Sequence, residues 1–363
     1  MAEVLTLDES DVQETFFERG WTDGLPIVPP TLDRVTAMLE AGGVAATDVV
    51  GTVAQRGVTV TAELLAINAV MAGCKPEYFP VVLAAARAFL DPAFNAHAAV
   101  TSTGGAALLV IVSGPLAAEI GMASRHNALA SGNRANATIG RSLRLVARNV
   151  LGAKTGGMDG SSLGHPGKYS FCFAEDPPPE PWPPLRVELG FDEADTTVTV
   201  LPTEGPRQVA NHLNEDPVGL LRTFAAAIAS PAQYSTGKGT QGTVVLGPEH
   251  TTALVQAGWS KRQVREWLVE HSRVTPQQLL DAGVLLIEGM EPGPDGRLPT
   301  IVSPDDLFLV TAGGAGAGWS AWIPNWAPKI HAQATTRRVV PPGEALPDCG
   351  DDGCAVPWMT EES

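Results

Sequence analysis

"VIVSGPLAAEIGM", residues 110–122, and "TVVLGPEHTTALVQAG", residues 243–258, indicate the fold class of this 363-residue chain. In each stretch an aliphatic run, short enough for one buried strand, is followed by Gly-Pro and then by a helical pattern. The same order of strand, turn and helix in two distant places predicts an internal repeat.

The sequence around these stretches continues the alternation of strands and helices. We therefore expect an α/β fold with two related α/β halves packed around a central cleft, preceded by an extended Pro-rich N-terminal segment. The predicted divisions are an N-terminal helix and wrapping Pro-rich segment over 1–49, a first half over 50–176, a stiff Pro-rich connector over 177–195, a second half over 196–335, and a mobile C-terminal tail over 336–363.

The N-terminal segment contains an opening helix at about residues 9–19, followed by "WTDGLPIVPPT". The prolines and glycine of that second stretch oppose continued helix and favour an extended, wrapping conformation. "TLDRVTAMLEAG" then predicts a short helix that starts at Thr31 and is ended by glycine.

Composition excludes several classes of protein. Forty acidic and 24 basic residues give a formal net charge of −16, which opposes binding to nucleic acid or to anionic membranes. The acidic N-terminus lacks the pattern of a signal peptide, and no apolar run is long enough to span a membrane. Four cysteines are too few for a secreted disulfide scaffold of this length, so we expect a cytoplasmic protein with free thiols.

"GHPGKYSFCFAE", residues 164–175, gathers several reactive side chains. Aromatic residues alternate with Ser170 and Cys172, which predicts a strand with Cys172 on the face of Ser170, away from the aromatics. His165 can donate or accept a proton, and Lys168 supplies a cation. The alternative is that Cys172 is a buried, structural cysteine and that the preceding turn is solvated.

Three functional hypotheses follow from these side chains. In the first, Cys172 or Cys74 is a thiol nucleophile, with His165 as general acid or base and Lys168 as a stabiliser of charge; Lys75 would lower the pKa of Cys74. The second is a cofactor-free lyase or hydratase that uses His165, Lys168 and Glu175. The third is a non-catalytic subunit that binds substrate for a separate redox system.

Two polar stretches predict a binding site for a small anionic substrate. "TSTGGAA" (101–107) and "HNALASGNRANATIGR" (126–141) combine hydroxyls, amides and arginines with a predicted helix start, where backbone N–H groups favour an anion. Helix capping is the alternative explanation. The candidate substrate-binding residues are Thr101, Ser102, Asn133, Arg134, Asn136, Thr138 and Arg141.

The sequence predicts neither a cofactor nor a metal. "TAGGAGAG" (311–318) follows an aliphatic run but does not open the helix that a dinucleotide fingerprint requires, and a phosphate-binding P-loop pattern is missing. The seven histidines are scattered without metal-ligand spacing. A glycine-rich pocket wall and a structural turn are both compatible with the glycine run.

The tail contains "CGDDGC", in which Cys349 and Cys354 form a candidate redox pair. One hypothesis is a dithiol that resolves an oxidised or covalent intermediate at an internal cysteine. The other is a disordered tail with two incidental thiols.

Five long stretches resemble a bacterial family associated with UGSC proteins, which are small thiol or selenol proteins named for a selenocysteine-Gly-Ser-Cys motif. The stretches are "ERGWTDGLPIVPPT", "INAVMAGCKPEYFPVV", "GNRANATIGRSLRL", "GHPGKYSFCFAE" and "GPEHTTALVQAGWSKRQVREWL". The resemblance covers about residues 16–326 and implies thiol redox chemistry with a small thiol or selenol redox protein as partner. This chain has no UGSC motif of its own, and the spacing of "CGDDGC" differs. Whether the chain forms a homo-oligomer is left open.

Overall fold

The computed structural model describes residues 5–212, 216–284, 286, 290–316 and 318–344. Within these residues the α-helices are α1 (Val12–Glu18), α2 (Leu32–Gly42), α3 (Ala62–Ala72), α4 (Phe79–Phe89), α5 (Ala96–Thr101), α6 (Pro115–Glu119), α7 (Arg134–Asn149), α8 (Leu185–Glu188), α9 (Pro217–Ile228), α10 (Pro248–Gln256), α11 (Lys261–His271) and α12 (Pro276–Asp281). The strands are β1 (Val49–Val53), β2 (Val58–Thr61), β3 (Ala107–Ser113), β4 (Cys172–Ala174), β5 (Thr197–Thr203), β6 (Arg207–Ala210), β7 (Thr240–Leu246), β8 (Leu307–Thr311), β9 (Trp319–Pro328) and β10 (Thr335–Arg338). Helices together with a mixed sheet confirm the α/β class.

The main sheet has the strand order β4-β3-β5-β9-β7-β8. β3 is parallel to β4 and antiparallel to β5, while β7 is parallel to β8 and antiparallel to β9. At the centre, β5 and β9 meet through the pair of Thr203 and Asn325. Two further strands join this centre, since β10 pairs with β5 and β6 pairs with β9.

The two stretches that indicated the fold class have the predicted local structure. β3 runs into Gly114 and then into α6, and β7 runs into Gly247 and then into α10, with proline as the first helical residue in both cases. Proline is favoured at this position because its nitrogen has no hydrogen to leave unpaired. The predicted order of strand, Gly-Pro turn and helix is confirmed at both places.

Three apolar clusters surround the strands of the sheet. Val110 and Val198 pack with residues of α2, α3, α4 and α7 on one face, and Val244 and Leu309 pack with α9, α10 and α11. The alternate side chains point the other way and join in one central layer, which includes Leu109, Ile111, Leu201, Val245, Val310 and Ile323. Buried apolar side chains therefore occupy the space along these strands in which we expected a central cleft.

The predicted helix after the Pro-rich segment is confirmed. α2 begins directly after Thr31 and ends before Gly43, whose φ of 62° is left-handed. Residues 21–31 form neither helix nor strand. The Val28 N–H donates to the carbonyl of Met71, and Asn149 donates to the carbonyl of Trp21.

Two predicted boundaries disagree with the strands of the sheet. The boundary at 196 separates β5 from β3, although the two strands pair along all seven residues of each. The predicted mobile tail begins at 336, whereas residues 336–338 lie in β10 and pair with β5. The start of the tail is thus corrected, while Cys349 and Cys354 lie outside the described residues. The part of the chain that the structure describes contains no helix long and apolar enough to cross a membrane.

Candidate active site

The loop between α7 and β4 holds a compact cluster of charged and hydroxyl side chains around Asp159. Lys168 Nζ lies 2.9 Å from each carboxylate oxygen of Asp159. Arg144, on α7, also donates to this carboxylate. Ser161 donates through its hydroxyl over 2.5 Å and through its backbone N–H over 3.2 Å, and Lys168 also donates to the Ser161 hydroxyl.

Burial strengthens the interactions between the charged side chains of this cluster, because little water screens them. The side chain of Asp159 is 3% exposed, and those of Lys168 and Arg144 are each 13% exposed. Burial alone would raise the pKa of Asp159, but the hydrogen bonds from Lys168 and Ser161 and the charge of Arg144 hold it well below its usual range. Burial lowers the pKa of Lys168, which Asp159 opposes. With two cations around one carboxylate, the cluster has a surplus positive charge that favours an anionic ligand.

Residues 101–105, the first part of the predicted binding stretch 101–107, lie against this cluster. The Ser161 hydroxyl is 3.4 Å from the carbonyl of Ser102, and the Ser162 N–H donates to the carbonyl of Thr103. Gly105 has a φ of +72°, and a side chain there would meet Ser161 Oγ at 3.2 Å, so glycine is needed for this approach. The hydroxyl of Thr101 donates back to His97 within α5.

His165 joins the same loop to the centre of the sheet. Its Nε2 lies 3.4 Å from the carbonyl of Thr203, its Nδ1 accepts from the Gly167 N–H at 3.3 Å, and its ring packs edge-on against Phe171. This pattern assigns the proton to Nε2. Burial and the charge of Lys168 lower the pKa of His165, while the Thr203 carbonyl raises it. The imidazole is therefore neutral near pH 7.

The central strand pair next to His165 has unusual polar side chains. Thr203 and Asn325 are both fully buried, and among the described residues neither the Thr203 hydroxyl nor the Asn325 amide has a hydrogen-bond partner. Trp326 follows, and a side chain at Gly104 would meet its indole nitrogen at 3.0 Å. Contacts thus connect the 101–105 stretch, the Asp159 cluster and the centre of the sheet.

The cysteines occupy a different environment. Cys172 packs in the helical layer beside Val110, whereas Phe171 and Phe173 belong to the central layer, which confirms the predicted two-faced strand. Burial raises the pKa of Cys74 to about 12 and raises that of Cys172 strongly as well. Burial therefore opposes the predicted role of Cys172 or Cys74 as a thiol nucleophile, and the charge of Lys168 does not offset it at Cys172. Lys75, which contacts Glu77 at 3.2 Å, does not offset the burial of Cys74.

Glu175 is also separated from His165. It accepts hydrogen bonds from Ser113 at 2.5 Å and from the Leu185 N–H, and lies 3.8 Å from Lys261. Ser113 is at one end of β3 and the position paired with Thr203 is at the other, six residues away, which spans roughly 20 Å. Burial raises the pKa of Glu175. Its expected role as proton-transfer partner of His165 is therefore wrong.

The remaining predicted anion site at the start of α7 is held by contacts within the chain. Asn133 caps the helix by accepting from the Asn136 N–H, and the Asn136 amide bonds both backbone groups of Ala123. The side chains of Arg134 and Thr138 donate to backbone carbonyls. Arg141 forms a two-pronged ion pair with Asp23, at 2.8 and 2.7 Å. Capping and packing, the alternative explanation, account for these residues.

Sequence reasoning missed Asp159, Ser161 and Arg144. The first two immediately precede the stretch that we singled out, in "DGSSLGHPGK" (159–168), where the density of polar groups is a usable signal. A second signal marks the stretch at 102–105, which lies against the Asp159 cluster. "STGG" at 102–105 resembles "STGKG" at 235–239, and the serine of each stands 13 positions before the proline of the next Gly-Pro turn. In the stretch at 235–239, Lys238 donates to the Tyr234 carbonyl at 2.6 Å, and burial lowers the pKa of Lys238.

Comparisons with known proteins assign no family. No family model matches the sequence, and no curated protein is significantly similar to it. Across the described ranges, the histidine, cysteine and acidic side chains form no group that could hold a metal ion.

Proposed function

We propose that this protein is a small-molecule enzyme that binds an anionic substrate beside Lys168 and catalyses proton-transfer chemistry of the lyase or hydratase type. The observation that carries the proposal is the buried cluster of Lys168, Arg144 and Asp159, with its surplus positive charge, in the loop that also contains His165. In a chain of net charge −16, such a local excess of cations favours an anionic ligand at this place.

Each side chain has a role that its environment favours. Lys168 and Arg144 attract and orient a carboxylate of the substrate, and Asp159 keeps both cations charged and in place. His165 is neutral near pH 7 and can accept a proton, and its contacts of 3.3 and 3.4 Å with backbone groups are long enough to yield to a substrate. Ser161 can orient a hydroxyl that enters or leaves.

Thiol redox chemistry is the weaker proposal because Cys74 and Cys172 are buried and protonated near pH 7. The thiolate is the nucleophilic form of cysteine, so groups in this state are poor candidates. A small thiol or selenol redox protein would need a reactive cysteine on this chain. Among the described residues, both cysteines are buried.

We also propose that the chain consists of two related halves. The order β4-β3-β5 on one side of the sheet centre matches β8-β7-β9 on the other, with the same parallel and antiparallel pairs. The matching spacing of the two serine-threonine-glycine stretches and the two Gly-Pro turns supports this further. His165 and the 101–105 stretch would then lie close to the junction between the halves.

Exchange of substrate C–H hydrogen for deuterium tests the proposed chemistry. The protein in D₂O would be incubated with a panel of small hydroxy- and dicarboxylates, and exchange at the carbon next to the carboxylate would be followed by NMR. We expect exchange with at least one compound, and its loss in His165→Gln but not in the control His271→Gln, whose histidine is exposed on α11. Exchange that persists in His165→Gln and disappears in Cys172→Ala would refute the proposal in favour of thiol chemistry.

A further inference from the structure

A surface groove lies where α10 turns into α11. Both helices belong to the layer that packs against Val244 and Leu309. Its volume is about 390 Å³, and its lining includes Gly258, Trp259, Gln263, Glu266, Trp267 and Glu270. This volume is in the range of small-molecule sites, about 300–1,000 Å³. None of these residues belongs to the Asp159 cluster.

The turn and the helix fix the two indoles that line the groove. Gly258 has a φ of +79°, which lets the chain reverse between the helices, and the carbonyl of Trp259 accepts from Trp182 Nε1 at 2.7 Å. On α11, the ring of Trp267 stacks on His271 at 3.8 Å with an interplanar angle of 5°. Both tryptophans are partly buried against the apolar cluster that includes Val244 and Leu309, so their rings are held in place.

The charges in the groove have one sign. Glu266 and Glu270 are exposed and lie one helical turn apart on α11, so they share a face of the helix. Glu266 pairs with Arg262 at 2.7 Å, but Arg262 is not part of the lining. The lining therefore offers aromatic rings, carboxylates and the Gln263 amide, and it contains no cationic side chain.

We propose that this groove binds a small organic cation of the quaternary or substituted ammonium class. The face of an aromatic ring attracts a cation through its quadrupole, with tryptophan the strongest of the side chains, and nearby carboxylates add a favourable charge. A compact alkylammonium group is weakly hydrated and has methyl groups that pack against indoles, whereas a metal ion requires closely spaced oxygen ligands. This site does not depend on the chemistry proposed at His165.

Binding of choline, compared with its uncharged isostere 3,3-dimethylbutan-1-ol, tests the inference on the intact protein. Calorimetric titration should give saturable binding of choline and much weaker binding of the isostere. Trp267→Leu keeps apolar bulk but removes the indole, and should weaken choline binding roughly fivefold or more. Glu270→Gln keeps the shape of the side chain, and should weaken it by a smaller factor. Glu18→Gln, an exposed glutamate on α1, is the matched control and should have no effect.

Three results would overturn the inference. They are a lack of saturable choline binding to the wild-type protein, equal binding of choline and its uncharged isostere, and choline affinity that is unchanged in both Trp267→Leu and Glu270→Gln. Unfolding curves of the variants, matched to that of the wild-type protein, ensure that a loss of binding is not a loss of fold.

Discussion

At the scale of single residues, depth in the fold decides which reactive groups are available. Cys172 and Lys168 are four positions apart, yet one is a buried thiol in the helical layer and the other is a cation in the Asp159 cluster. The alternation of residues 169–174 predicts the two faces of the strand, but it does not tell which face a helix covers. Packing of α7 over β4 is a tertiary property, so the burial of Cys172 could not be predicted from the local pattern.

The first prediction concerns thiol reactivity. In a variant with Cys349→Ser and Cys354→Ser, the remaining cysteines Cys74 and Cys172 should not react with iodoacetamide at pH 8 in the folded state, because burial keeps both protonated and inaccessible. Mass spectrometry after timed alkylation would measure this, with the urea-unfolded protein as the positive control. Rapid labelling of either cysteine in the folded protein would contradict the burial described here.

The second prediction concerns Asp159 and pH. Its pKa is lower in the folded protein than in the unfolded chain, so its charge stabilises the fold above about pH 4 and this contribution is lost as the pH falls. Asp159→Asn should lower the free energy of unfolding by about 3 kcal/mol at pH 7, since two buried cations lose their partner. The difference from wild type should narrow toward pH 3 in urea titrations. Asp305→Asn, at a 69% exposed side chain, is the control and should show little change. A gap of constant size from pH 7 to pH 3 would contradict this role.

At the scale of elements, the sequence predicts helices and turns better than the contacts between them. The start of α2 after Thr31, the two Gly-Pro turns and the break at Gly258 follow from capping and backbone preferences, which are local. The sequence shows several arginines in α7, but it does not predict their partners. Arg141 meets Asp23, which is 118 positions away in the chain, and Arg144 meets Asp159.

The third prediction follows from the contact of α7 with the N-terminal segment. Arg141→Ala should lower the free energy of unfolding by about 3–5 kcal/mol, because it leaves the nearly buried Asp23 carboxylate without its partner. Arg125→Ala removes a pair in which the arginine is 75% exposed, and should cost no more than about 1 kcal/mol. Urea unfolding measures both. If Arg141→Ala were as stable as the wild type but bound an anionic ligand more weakly, the contact with Asp23 would not be the main role of Arg141. The anion site predicted from the sequence would then be supported.

At the scale of the whole molecule, the sheet links the parts that the sequence suggested were separate. β10 follows β9 in the chain but pairs with β5, and β6 follows β5 but pairs with β9. The repeat of strand, turn and helix was visible in the sequence because it is local. The pairing of β10 with β5 and of β6 with β9 could not be predicted from the sequence, because each pair joins segments more than 100 positions apart.

The fourth prediction is that the chain does not divide at the predicted boundary. A fragment of residues 1–195 lacks β5, the strand that pairs with the full length of β3 and brings β10 to the sheet. It would expose one buried edge of β3, so it should not unfold cooperatively by itself. Circular dichroism during urea titration would measure this, with the full chain as the reference. A steep unfolding transition of the isolated fragment would show that β3 does not need β5.

Carboxylate binding to three variants, each with one lysine or arginine replaced by methionine, tests whether the anion binds beside Lys168. Calorimetric titration would use the compound with the strongest deuterium exchange. Lys168→Met should weaken binding at least tenfold, as expected for loss of a charge-assisted hydrogen bond of about 1.5–3 kcal/mol, while Lys154→Met, at an exposed lysine of the same loop, and Arg134→Met should bind as the wild type does. Unchanged affinity in a folded Lys168→Met protein, with loss of binding in Arg134→Met, would mean that the anion binds at the start of α7 and not beside Lys168.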